Sequence, residues 1–159
     1  QLYGATFGGG VSADYSAGDI TLGAWAQSSS DADFEYYAAY SGIENLTLAV
    51  ALADNVEAED TTNIMATYEM GDFTISAETV DTDNTLDITS ITLAYSMGDT
   101  TVAVRSVDGD YNGDDYEKTS IAAFHALSDN VAVGVEYSDE DLDNGLSVKG
   151  VGVELLYVF

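Results

Sequence analysis

The sequence predicts an all-β fold, an antiparallel up-and-down meander of eleven strands that closes as a β-barrel. Three observations carry this. Apolar residues alternate with small or polar ones over nearly the whole chain, which is the strand period. Between these runs, short Gly/Asp/Asn turns alternate with longer acidic segments. Proline, which interrupts a hydrogen-bonded ladder, is absent. So much strand leaves unpaired edges unless the sheet closes on itself.

The strands are expected near 2–16, 19–28, 34–42, 45–53, 61–70, 72–80, 87–97, 99–107, 116–127, 130–138 and 146–159. Residues 130–138 show the pattern: Val131, Val133, Val135 and Tyr137 share one face, and Ala132, Gly134, Glu136 and Ser138 share the other. Tight turns are expected at 17–19, 41–44, 70–72, 97–99 and 128–130, and longer loops at 28–33, 54–61, 81–86, 107–115 and 139–145. All tight turns then lie at one end of the meander and all long loops at the other. No linker divides the chain, so residues 1–159 form a single β-barrel domain.

Composition removes several function classes. Asp and Glu number 29 against 3 Lys and Arg, a net charge of -26, so the chain lacks the basic patch a nucleic-acid binder needs. Hydrophobic residues are still 46% of the chain, too many for a disordered acidic polymer. There is no cysteine and one histidine, which excludes disulfides, thiol catalysis and multi-histidine metal sites. No apolar run is long enough for a transmembrane helix.

The two faces of the strands differ in kind. Asp14, Glu35, Glu69, Glu78, Glu136 and Glu154 stand inside strands, each on the face opposite the apolar one, among Gly, Ala, Ser and Thr. Ionised carboxylates in a dry core each cost several kcal/mol unless paired, and three basic residues cannot pair six acids. The carboxylate face therefore suits water. The other face is continuously apolar, as in Leu46, Leu48, Val50 and Leu52. In a soluble sandwich that face is the core; in a transmembrane barrel it meets lipid while the carboxylates line the lumen. Tyr15, Tyr40, Tyr68, Phe73, Tyr95, Tyr157 and Phe159 all fall on the apolar face near the tight-turn end, at one level, like a membrane-interface girdle. Phe34, Tyr36 and Tyr137 form a smaller set toward the other end.

The final stretch, Val151-Gly152-Val153-Glu154-Leu155-Leu156-Tyr157-Val158-Phe159, resembles the closing strand of bacterial outer-membrane barrels: a terminal Phe with apolar or aromatic residues at every second place before it. The whole chain is similar in architecture to the C-terminal part of a general diffusion porin of the acidic, alphaproteobacterial kind. The resemblance implies the outer membrane of a Gram-negative bacterium, a homotrimer, contact with lipid and lipopolysaccharide, reading of the last strand by the barrel assembly machinery, and no catalytic residue. It implies a water-filled channel for small hydrophilic solutes, not an enzyme, with the tight turns at the periplasm and the acidic loops outside. Selection then falls to Asp14, Glu35, Glu69, Glu78, Glu136 and Glu154, set against Arg105 on the same face, and the expected preference is for cations. Bacterial barrels have even strand numbers with both ends at the periplasm, so eleven strands imply at least one more before Gln1, in a barrel of about 12 to 16.

Other candidates are local. Asp108, Asp110, Asn112 and Asp114 carry the oxygen ligands at alternate places, with Gly113 for the turn, that open a calcium loop. Asp139, Glu140, Asp141 and Asp143 are a second acidic cluster. No cofactor is expected beyond possible Ca2+ in these outer loops. Arg105 either opposes glutamates across the pore or forms a local salt bridge, and Lys149, on the apolar face, is placed to reach lipopolysaccharide phosphates. His125, near a tight turn, lacks partners for catalysis and reads as structural. The alternative to a channel is a soluble acidic β-sandwich acting as a calcium-dependent binding module.

Overall fold

The computed structural model describes residues 10–27, 33–55, 59–128, 130–142 and 145–157. Phe159, Asp143 and the first residues of the expected opening strand lie outside them. The strands are β1 (Gly10–Ala17), β2 (Ile20–Gln27), β3 (Phe34–Ile43), β4 (Leu46–Asp54), β5 (Thr61–Met70), β6 (Phe73–Thr82), β7 (Leu86–Met97), β8 (Thr100–Tyr111), β9 (Asp114–Ser128), β10 (Val131–Leu142) and β11 (Leu146–Tyr157). They form one sheet in sequence order, every neighbour antiparallel. The described residues contain no second sheet packed on the first, so they do not support the sandwich alternative. Among them β1 pairs only with β2, and β11 only with β10.

The register fixes the faces. Glu78 stands opposite Met65 on one side and Ser90 on the other, and Glu136 opposite Ala122 and Gly152. Ala77 and Ile91, or Val135 and Val153, occupy the reverse face. Crowding separates the two. The buried residues Ala49, Ala53, Thr61, Asn63, Ser90, Val107 and Ser120 all lie on the carboxylate face, and none is a large aliphatic or aromatic side chain except Val107. The apolar face is open, with Val153 at 72% exposure and Leu155 at 69%. Side chains crowd on the concave side of a curved sheet, so the carboxylates face inward and the apolar residues outward. An exposed apolar surface this extensive marks contact with lipid or another apolar partner.

The strands reach further at one end than expected. The expected loop at 107–115 is a two-residue turn at Asn112-Gly113, with Tyr111 paired to Asp114. Both turn residues have positive φ, 55° and 83°, the mirror-image hairpin that Asn-Gly favours because it matches strand twist. Likewise β6 and β7 leave only 83–85 between them, and β10 runs to Leu142. Acidic residues look like loop in sequence, yet a ladder is built by backbone groups and continues wherever the side chains on both faces stay wet.

The opposite end is regular. Gly18, Asn45, Gly71 and Gly98 turn the chain with φ between 57° and 64°. One backbone bond recurs there: the N–H groups of Ser41, Glu69, Ser96 and Ala126 donate to the carbonyls of Asp19, Asn45, Asp72 and Asp99 at 2.8–2.9 Å.

Candidate functional site

The inner face gathers the residues of interest. Asp14, Glu35, Glu69, Glu78, Glu136, Glu154 and Arg105 all stand on it by register, opposite Gly23, Ala53, Thr74, Ser90, Gly152, Gly134 and Thr92 respectively. Small partners leave each carboxylate room to point away from the sheet. The surrounding positions are Thr47, Thr67, Ser76 and Ser138, and the Thr67 and Ser76 hydroxyls are hydrogen-bonded at 3.1 Å.

Two clusters of contacts organise this wall, one around Glu78 and one at Asp14. Arg105 Nη2 stands 3.7 Å from Glu78 Oε2 and donates to Ser90 Oγ at 3.2 Å. Asn63 Nδ2 donates to the other oxygen, Glu78 Oε1, at 2.6 Å. The Tyr37 hydroxyl donates to Asp14 Oδ1 at 2.8 Å. Gly23 makes this last contact possible, since a Cβ there would run into the Tyr37 ring and Asp14 Oδ1. Lys118, also inward, stands 3.4 Å from Glu140. Both inward-facing cations are thus beside a carboxylate, and no basic residue is placed beside Glu35, Glu136 or Glu154 by any of these pairs.

Asn63, Tyr37 and Lys118 were not among the expected wall residues. Alternation was the available signal: each is a polar side chain at an inward place, and Tyr37 interrupts an aromatic run whose other members, Tyr36 and Phe34, face outward with rings stacked at 6.3 Å.

The proposed calcium ligands do not converge. Asp108 and Asp110 point outward from β8, opposite Glu117 and Asp115, while Asp114 faces inward on β9 beyond the turn. No group of three or more His, Cys, Asp or Glu among the described residues is arranged to hold a metal ion. The expected loop is replaced by an extended hairpin because Asn112-Gly113 closes the turn in two residues.

On the outer face, Tyr15, Tyr40, Tyr68, Phe73, Tyr95 and Tyr157 form one row near the tight turns. Phe73 and Tyr95 touch, with ring centroids 4.5 Å apart. Lys149 also faces outward, and its Nζ donates to Asp139 Oδ2 at 2.6 Å. No helix among the described residues is long and apolar enough to cross a membrane.

Comparison with known proteins agrees with this geometry. The family model described as Gram-negative porin matches residues 1–145. A triple mutant of the Rhodopseudomonas blastica porin superposes with a TM-score of 0.69 at 22% identity, covering 92% of this chain and 54% of that one. A porin structure refined at 1.8 Å gives 0.69 at 18% identity, covering 94% and 61%. The chain therefore spans little more than half the length of these structures, and the likeness shows the fold. No curated protein matches the sequence. With the family model matching most of its length, the chain belongs to the Gram-negative porins, proteins of the bacterial outer membrane.

Proposed function

We propose that this chain forms part of the wall of a water-filled channel that passes small hydrophilic solutes by passive diffusion and prefers cations. The observation that carries the reading is the division of faces: Asp14, Glu35, Glu69, Glu78, Glu136 and Glu154 on the crowded inner face, and a continuous apolar surface outside. Only Arg105 and Lys118 oppose them there, and each is offset by its own carboxylate neighbour. The remaining field is negative, and a negative lumen concentrates cations.

Closure of the barrel belongs to the same proposal. Odd-numbered strands all run toward the tight turns, so β1 and β11 run the same way. Direct pairing would be parallel, and open edges are not tolerated in hydrocarbon. An odd number of further strands, contributed by the rest of a longer chain, completes an even antiparallel barrel. The tight turns then face the periplasm, the aromatic row lies at the membrane interface, and trimer formation, lipopolysaccharide contact and recognition of the last strand follow the family pattern. Any divalent cation at the outer rim is held loosely by separated carboxylates.

The test is the reversal potential of the reconstituted channel across a KCl gradient. K+ preference that weakens as salt rises supports the reading, because added ions screen the lumen charges. Anion preference overturns it.

A further inference from the structure

The aromatic row has one member that is neither Tyr nor Phe. The recurring backbone bond at the tight-turn end involves the residue after Tyr40, the residue after Tyr68 and the residue after Tyr95; its fourth instance involves the residue after His125. His125 therefore occupies on β9 the place that tyrosine fills on β3, β5 and β7, and Tyr15 and Tyr157 hold the corresponding level on β1 and β11. The imidazole faces outward, between Thr100 on β8 and Val133 on β10. Its Nδ1 lies 2.9 Å from the Thr100 hydroxyl, which fixes the ring and leaves Nε2 directed elsewhere.

Among the described residues, the outward neighbours of His125 in the ladder include no cation and no carboxylate. The outward neighbours are Thr100 and Val102 on β8, Ala123 on β9, and Val131 and Val133 on β10, with Tyr157 beyond them. Asp99 lies in the β7–β8 turn, and Glu136 on β10 faces inward. A row at this level meets lipid headgroups, where tyrosine offers only a hydroxyl. An imidazole offers a ring N–H donor in a planar, partly apolar side chain.

We infer that His125, held by Thr100, is a contact site for the phosphate of a membrane lipid in the leaflet at the tight-turn end. The ring donates through Nε2 to a phosphate oxygen, while the flanking Val102, Val131 and Val133 meet the top of the acyl chains. The inference rests on the outward face meeting lipid.

The test uses the full protein in liposomes of phosphatidylethanolamine and phosphatidylglycerol, with histidine labelled with 15N. Solid-state NMR then reads dephasing of the imidazole nitrogens by lipid 31P. The His125→Gln spectrum identifies the signal, and His125→Tyr, which restores the row, serves if that variant does not fold. Dephasing of the ring nitrogens by lipid 31P is expected in this sample. Thr100→Val is expected to weaken it by releasing the ring. Absence of 31P dephasing overturns the inference, as does equal dephasing by inorganic phosphate in lipid-free maltoside micelles. Acyl-chain contacts to the Leu155 methyls in the same sample report separately whether the outward face meets lipid.

Discussion

Arg105 reaches diagonally across the full width of β7 to stand 3.7 Å from Glu78 on β6. The two are not paired in the ladder: Glu78 is opposite Ser90, and Arg105 opposite Thr92. The guanidinium spans the gap by resting on the Ser90 hydroxyl, and Asn63 holds the far side of the carboxylate. One cation is thereby drawn onto the wall instead of projecting into the space it faces.

Neutralising that cation is expected to sharpen cation preference. Arg105→Gln leaves Glu78 with Asn63 as partner and one more uncompensated negative charge on the wall. The pair is half-exposed, so its loss costs at most about 1 kcal/mol of stability. A reversal potential displaced further toward the K+ value, with an unfolding midpoint lowered by no more than that loss, is the expected result.

Lysine scanning across β10 distinguishes the faces energetically. Val135 points outward near the middle of the apolar run and Glu136 points inward. A lysine on the lipid face near the midplane costs about 2–4 kcal/mol, whereas one facing water costs little. Urea unfolding in phospholipid vesicles should show the loss for Val135→Lys and not for Glu136→Lys, and Glu136→Lys should lower the cation preference.

The β8–β9 turn should depend on Gly113. Its φ of 83° lies in the left-handed region, where a Cβ costs about 1–2 kcal/mol. Gly113→Val is expected to raise amide exchange at the tips of β8 and β9, from Asp108 to Tyr116, and to leave the tight-turn end unchanged. Uniformly fast exchange at Asp108 and Asp110 in the unmodified protein would contradict the hairpin.

The aromatic row should contribute to stability through ring contact as well as through placement. Phe73→Ala removes the 4.5 Å contact with Tyr95. Such a pair adds about 0.5–1.5 kcal/mol beyond the area it covers. A double-mutant cycle with Tyr95→Ala, read by unfolding in vesicles, should return a coupling of that size.

Strand count, strand order, the tight turns of one end and the side of the sheet that Asp14, Glu35, Glu69, Glu78, Glu136 and Glu154 share were legible in the sequence, because period-two alternation is a one-dimensional signal; Asp114 and Glu140, also inward, fell in expected loops. The acidic strand ends were not legible. Asp81 pairs with Asp87, Asp108 with Glu117, and Asp110 with Asp115, so like charges stand opposite each other in a continuing ladder. Nothing in such residues favours a strand; the tight turns that follow and the backbone bonds impose it. The Arg105–Glu78 contact was open for a different reason. It joins residues on strands that are not neighbours, and its geometry depends on the register of two ladders at once. The equivalence of His125 with the tyrosines was available as a constant spacing before each tight turn, as in Tyr15-Ser-Ala-Gly18, Tyr68-Glu-Met-Gly71 and Tyr95-Ser-Met-Gly98.

The central claim is that the carboxylate face meets water and the apolar face meets lipid. The chain has no cysteine, so single cysteines introduced as Glu136→Cys and Val135→Cys report the two faces without background. The measurement is the labelling rate of each, in a lipid bilayer, by a charged, membrane-impermeant thiol reagent. Rapid labelling at position 136 and protection at position 135 is the predicted result. Protection at 136 with rapid labelling at 135 would contradict the account.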